Sequence, residues 1–282
     1  MTKYSKELVS VPVPRYDESP SSWLSRTALR QAVPVDDLLA YLGLPIKGDM
    51  DLNVVRGNLQ RVTGLTGLHS KQFDLVQKMF LGAAKLGSGK KSYLLSLDGM
   101  PRYRFCACCL EKQSEKFFPL HWRFKAWRWC PDHFCLLDDV CPHCAAPVIL
   151  PAMMLKAGPK KEGVGSLGRC MTCAKKLFTE HRDKKQSLEF RYLNAWETAL
   201  LNNGRAVLAA LLSGDVYTQD QPRRLPVSAI SRIEKQGLLP HDSFFLTIAE
   251  LERRSGKFRI PPPGPISDSE GSKQMPASAT SL

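Results

Sequence analysis

Eight residues able to hold a metal ion fall into four short pairs: Cys106/Cys109, Cys130/His133, Cys141/Cys144 and Cys170/Cys173, each with two residues between its members. That spacing lets both side chains of a tight turn reach one ion, and two such turns complete a tetrahedral shell. The pairs are separated by 20, 7 and 25 residues. Consecutive pairing gives one Cys₃His and one Cys₄ site, each closed by four protein ligands. A closed shell leaves no position for a catalytic water, so two structural Zn²⁺ ions are expected. The alternative is interleaved pairing, first with third and second with fourth, as in a RING-like scaffold. A RING keeps its His closer to the next Cys than the seven residues found here. Cys108 and Cys135 lie outside the pairs, and Cys108 could compete for the first metal. His121 has no partner at two-residue spacing, and His143, between two ligands, is expected to point outward. No H-E-x-x-H, G-x-S-x-G or paired carboxylates appear, which points away from an enzyme.

The chain has 282 residues and a net charge of +13, spread as +6, +5 and +2 over residues 1–105, 106–190 and 191–282. A basic excess carried by folded regions predicts an anionic partner, first of all nucleic acid. The amino terminus lacks the apolar segment of a secretory signal, and no stretch approaches the ~20 apolar residues that span a bilayer. The expectation is a cytoplasmic protein with no membrane partner, whose cysteines bind metal rather than form disulfides.

These sites need elements to hold them. Pro12 and Pro14 keep residues 1–18 extended. Ser19-Pro20 then opens a helix with Trp23, Leu24, Thr27, Ala28 and Gln31 at helical spacing. A second helix from Pro34 to Leu42 stops at Gly43. Leu52, Val55, Leu59 and Val62 mark a third, and Thr66 to Phe80 supplies a fourth after the turn Gly64-Leu65-Thr66-Gly67. Short helices joined by glycine turns suit a helix-turn-helix or a plain bundle, with Arg56, Arg61, Lys71 and Lys78 placed to reach phosphates. Residues 87–92 form a basic loop that lacks the spacing of a phosphate-binding loop.

Within the first metal segment, residues 117–129 alternate aromatics with cations. Such a run can stack on bases. The favoured reading is a strand that covers the metal site, with Arg123, Lys125 and Arg128 facing water and able to touch nucleic acid. Residues 153–168 read as a mobile basic loop. Helical periodicity returns after Leu188, with two further helices at 227–236 and 244–251, and the tail from Pro261 is expected to be disordered. The fold class is mainly α with small zinc-binding β and loop modules. Its domains are an N-terminal helical unit (1–100), a double zinc finger (101–185), a C-terminal helical unit (186–260) and a tail (261–282).

The block Glu18-Ser19-Pro20-Ser21-Ser22-Trp23-Leu24-Ser25-Arg26 is followed by L-x-x-Y-L-G-L, then F-C-x-x-C-L, a Trp-rich segment, W-C-P-D-H-x-C-L-L and C-P-x-C. Over residues ~15–180 this order resembles the TniQ family, transposon target-selection proteins that include TnsD-like members. The resemblance implies a bacterial, nucleoid-associated, non-enzymatic adaptor for DNA transposition. It would link DNA, or an RNA-guided CRISPR Cascade ribonucleoprotein, to the AAA+ transposition regulator and its transposase, alone or as a homodimer. A stand-alone zinc-dependent helix-turn-helix regulator is the alternative. One departure is Cys106-Ala107-Cys108-Cys109, where the family usually has Cys-Pro-x-Cys.

Overall fold

The computed structural model describes residues 7–86, 92–125, 127–156, 158, 160 and 165–178, with short pieces at 208, 211–212, 214–217 and 224–226. Residues 7–19 contain no helix. α1 (Pro20–Arg30) begins where its signals place it: Ser19 accepts the Ser22 N–H at 3.3 Å, and Pro20 takes the first helical position. α2 (Val35–Leu42) buries Val35, Leu38, Leu39 and Leu42 and stops at Gly43, whose φ of 68° gives the left-handed cap.

The third expected helix is broken. α3 (Met50–Asn53) passes into a π-helical segment, Val54–Asn58, kinks at Gly57 and resumes as α4 (Leu59–Thr66). Gly64 lies inside α4, and the stop falls at Gly67. The fourth expected helix starts late for a local reason. His69 and Gln72 cap each other reciprocally, which sets a 3₁₀ turn at Ser70–Phe73 before α5 (Asp74–Leu86).

β1 (Ser96–Leu97) and β2 (Met100–Tyr103) form a hairpin that leads to α6 (Ala107–Lys112). β3 (Trp129–Cys130) and β4 (Cys135–Leu136) make a second, separate hairpin. β5 (Val148–Ile149) pairs antiparallel with β2 through Arg102↔Ile149 and Tyr103↔Val148, giving a three-stranded sheet of order β1-β2-β5. Residues 117–129, expected as a strand, instead contain a 3₁₀ turn at Leu120–Arg123. Its aromatics still cover the metal region: Phe118, Trp122, Trp127 and Trp129 are buried.

One hydrophobic core runs across the expected boundary at residue 100. Trp23, Leu39, Val62 and Phe80 share it with Tyr103, Phe118, Trp127 and Leu177. Burying a Trp such as Trp23 is worth about 3–5 kcal/mol against alanine. Beyond residue 178, Leu208, Leu211 and Leu212 are buried, and a Cβ on Gly82 would lie 3.2 Å from Leu211, so this segment packs on α5. A further hairpin, β6 (Asp215–Tyr217) with β7 (Arg224–Pro226), was not legible in the sequence. The expected helices at 227–236 and 244–251, the tail and the basic residues 87–91 lie outside the described residues, as do several positions of the 153–168 loop.

Candidate metal centres

Cys106, Cys109, Cys130 and His133 converge, with their ligand atoms all within 4.8 Å of one another. Cys106 is the N-cap of α6 and Cys109 sits in its first turn, while Cys130 and His133 occupy the β3–β4 hairpin. His133 presents Nδ1, at 3.5 Å from Cys106 Sγ, 3.2 Å from Cys109 Sγ and 3.6 Å from Cys130 Sγ. Cys109 Sγ and Cys130 Sγ are 3.6 Å apart.

Cys141, Cys144, Cys170 and Cys173 form the second quartet, with Cys141–Cys173 at 3.7 Å and Cys144–Cys170 at 3.6 Å between sulfurs. Its two turns share one construction. Ala145 donates to the Cys141 carbonyl at 2.9 Å and Ala174 to the Cys170 carbonyl at 2.8 Å; both alanines are left-handed, with φ of 57° and 60°. Phe134, directly after His133, is left-handed too. Three of the four pairs are therefore knuckles that turn back immediately after the second ligand. The Cys106/Cys109 pair is carried by a helix instead.

The donor sets fit a tetrahedral ion. A Zn²⁺ held at ~2.3 Å from sulfur and ~2.0 Å from nitrogen requires S···S edges of about 3.8 Å and N···S edges of about 3.5 Å, and the observed edges lie close to both. In each quartet one thiol is brought below its ordinary range. Hydrogen bonds from Cys109, Cys130, Cys135 and His133 hold the Cys106 thiol well below its ordinary range, while those same contacts to Cys106 push Cys109 and Cys130 up. Burial pushes Cys170 up, but backbone N–H groups of Cys173 and Thr172 and the neighbouring thiols bring it down overall. A divalent ion held by these four ligands would favour the thiolate form of every cysteine in the quartet.

Consecutive pairing is what the chain adopts, so the interleaved RING arrangement is excluded. The expected competitor is also corrected. Cys108 lies on α6 outside the quartet, whereas Cys135 Sγ stands 3.8 Å from Cys106 Sγ because Cys135 is the cross-strand partner of Cys130. His143 is exposed and bonds the Lys176 carbonyl at 3.1 Å, joining the two knuckles of the second quartet. His121 stays outside both quartets. Burial lowers its pKa to about 3, so the imidazole is neutral and its 3.7 Å approach to Asp17 is no ion pair.

The E-S-x-x-S-W-L-x-R block is internal scaffolding. Ser19, Ser21, Ser22 and Ser25 are all fully buried. Ser22 Oγ donates to Glu18 Oε1 at 2.8 Å and accepts the Phe118 N–H at 2.9 Å. Ser25 Oγ donates to the Ser21 carbonyl and accepts the Ala152 N–H, both at 2.8 Å. Trp23 donates its indole N–H to the Pro12 carbonyl at 2.8 Å and meets Phe73 edge-on at 5.4 Å. Arg26 pairs with buried Glu18 and with Glu115. A helix this polar can be buried because its hydroxyls find partners in other segments.

A second buried network escaped sequence reading. Arg123 donates to both Asp49 and Asp51, and to the Leu95 carbonyl at 3.2 Å. Asp51 also accepts the Ser21 N–H at 2.8 Å and the Tyr103 hydroxyl. Paired carboxylates therefore do exist here, on α3 and its cap, bound to a cation that was expected to face water. Arg123 is fully buried and leaves the nucleic-acid set. Lys125 and Arg128 are exposed, as are Arg56, Lys71 and Lys78. Arg61 is exposed too, but its guanidinium lies against Gly43, at the carboxyl end of α2. A shallow depression of ≈ 510 Å³ between α4 and the 3₁₀ turn is lined by Val55, Leu59, Gln60, Leu68 and Gln77 among others. No helix of the described residues is long and apolar enough to cross a membrane.

No curated protein matches the chain at a significant level. Residues 9–137 match the family model TniQ, so this span, which holds α1, both buried charge networks and the first metal quartet, is similar to the TniQ family.

Proposed function

We propose that the protein is a non-enzymatic adaptor in DNA transposition that links a target-recognition element to an AAA+ transposition regulator and its transposase. The TniQ match over residues 9–137 carries this reading. The metal quartets support it: four protein ligands close each tetrahedron, so two Zn²⁺ ions would serve as structural staples with no open position for a catalytic water. The net charge of +13 supports a polyanionic partner, either DNA or an RNA-guided CRISPR ribonucleoprotein, met in the bacterial cytoplasm at the nucleoid.

Since the S-W-L-x-R block is spent on internal contacts, recognition falls to exposed cations on the helical unit and the metal module. Co-purification tests the reading. The tagged protein is expected to recover an AAA+ transposition regulator from its native cells; recovery of neither such a regulator nor a CRISPR complex, with no nucleic-acid binding, overturns it. The exposed Arg56, Lys71 and Lys78 around α4 and α5 also suit a stand-alone helix-turn-helix regulator. That reading requires sequence-selective duplex binding without any transposition partner.

A further inference from the structure

On the metal module two guanidiniums converge on one carboxylate, with a third arginine next in chain to a carbonyl that one of them bonds. Arg102 and Arg104 both lie on or beside β2, and both bond the same oxygen of Asp139: Arg102 Nη2 to Oδ1 at 3.2 Å and Arg104 Nε to Oδ1 at 3.0 Å. Arg104 is further fixed by donating to the Lys125 carbonyl at 3.0 Å and the Trp127 carbonyl at 3.4 Å. The next residue, Arg128, is held close by the bond from Leu137 N–H to its carbonyl at 2.9 Å, two residues from Asp139. Arg128 is exposed and makes no side-chain hydrogen bond or ion pair among the described residues. Arg102 Nε is buried without a partner.

Two guanidiniums thus share one half-exposed carboxylate, and Arg128 adds beside them a positive charge unpaired among the described residues. An excess of cations held rigidly by strand and carbonyls is preorganised for an oxyanion. Two properties favour a phosphodiester over an acidic peptide. Guanidinium forks match phosphate oxygens, and the surrounding charge is positive along the whole chain, a field suited to an extended polyanion.

We propose that Arg102, Arg104 and Arg128 form a phosphodiester-binding site through which the metal module grips a nucleic-acid backbone. This rests on the nucleic-acid side of the adaptor reading. The helical unit would hold one stretch of the strand and this cluster another, without reading bases.

Fluorescence anisotropy with a labelled duplex DNA of arbitrary sequence and a labelled single-stranded RNA tests it on the full-length, metal-loaded protein. Arg128→Glu is expected to weaken binding about tenfold, and Arg128→Ala to make the salt dependence of log K shallower by about one phosphate. Arg102→Gln, which keeps a donor to Asp139, is a second variant with the same expected direction. Whichever probe loses more affinity identifies the source of the phosphodiester. Wild-type affinity in all three folded variants, with Arg56→Glu weakened, overturns the site. Absence of binding by the wild type to either probe overturns it too, while co-purification with the AAA+ regulator separately decides the adaptor reading.

Discussion

Arg123 reaches Asp51 with neither side chain exposed to solvent, across 72 positions of sequence. This contact ties the 3₁₀ turn of the aromatic segment to the start of α3, and burial leaves each charge dependent on the other. Arg123→Ala is predicted to destabilise the fold by about 3–5 kcal/mol, because Asp51 would remain buried and unpaired. Arg123→Lys should recover little, since a single ammonium cannot span Asp49 and Asp51. Urea unfolding measures both. A loss below ~0.5 kcal/mol for Arg123→Ala would place the residue with ordinary surface cations and refute this account.

Elemental analysis should find two zinc ions per chain. Cys109→Ser and Cys170→Ser should each remove one, and the double variant both. Chelation should melt more than the knuckles, because Phe118 and Leu120 bond to residues of α1 and its approach. Circular dichroism during chelation reads this out; retention of the full helical signal with both ions gone would contradict the shared core.

His133 is predicted to be the most replaceable ligand. Its Nε2 is buried with no hydrogen-bond partner among the described residues, so it lacks the outer contact that usually orients a metal-bound imidazole. Cys135, already at 3.8 Å from Cys106, can close the shell in its place. His133→Ala should therefore keep two ions, whereas His133→Ala with Cys135→Ser should keep one. Cobalt substitution reads the change from three thiolates to four.

Glu18 gives the fold a pH dependence. Burial raises its pKa from 4.5 to about 7, although Arg26 and Ser22 oppose the shift. The folded chain then binds the proton more tightly than the unfolded chain. Its contribution is complete below about pH 4.5 and is lost as pH rises through about 7. Melting temperatures of wild type and Glu18→Gln across this range test the sign: the wild type should lose stability relative to the variant as pH rises. Parallel curves would assign Glu18 a pKa near its unfolded value.

The metal quartets were legible because two-residue spacing is a local property, and knuckle geometry needs little beyond it. α1 was legible for the same reason, through Ser19, Pro20 and the spacing of Trp23, Leu24, Thr27 and Ala28. What sequence could not show was long-range. Nothing local to Arg123 distinguishes it from Arg128; one is buried because Asp49 and Asp51 wait 70-odd positions earlier, whereas Arg128 is exposed and no carboxylate of the described residues pairs with it. Likewise, Cys135 enters the first quartet's surroundings through β3–β4 register, not through spacing. Two serines of α1 act as stitches that local sequence does not reveal, since the partners of Ser22 and Ser25 are Phe118 and Ala152.

The bond from Ala152 N–H to Ser25 Oγ also bears on engineering. It crosses 127 positions, so the amino-terminal helices and the second knuckle region are interlocked rather than strung in series. A chimera spliced near residue 100 would sever α1 from the residues that complete it and leave buried hydroxyls without partners. Any transplant of the amino-terminal helices must carry the metal module with them, together with the segment around residues 208–212 that packs on α5.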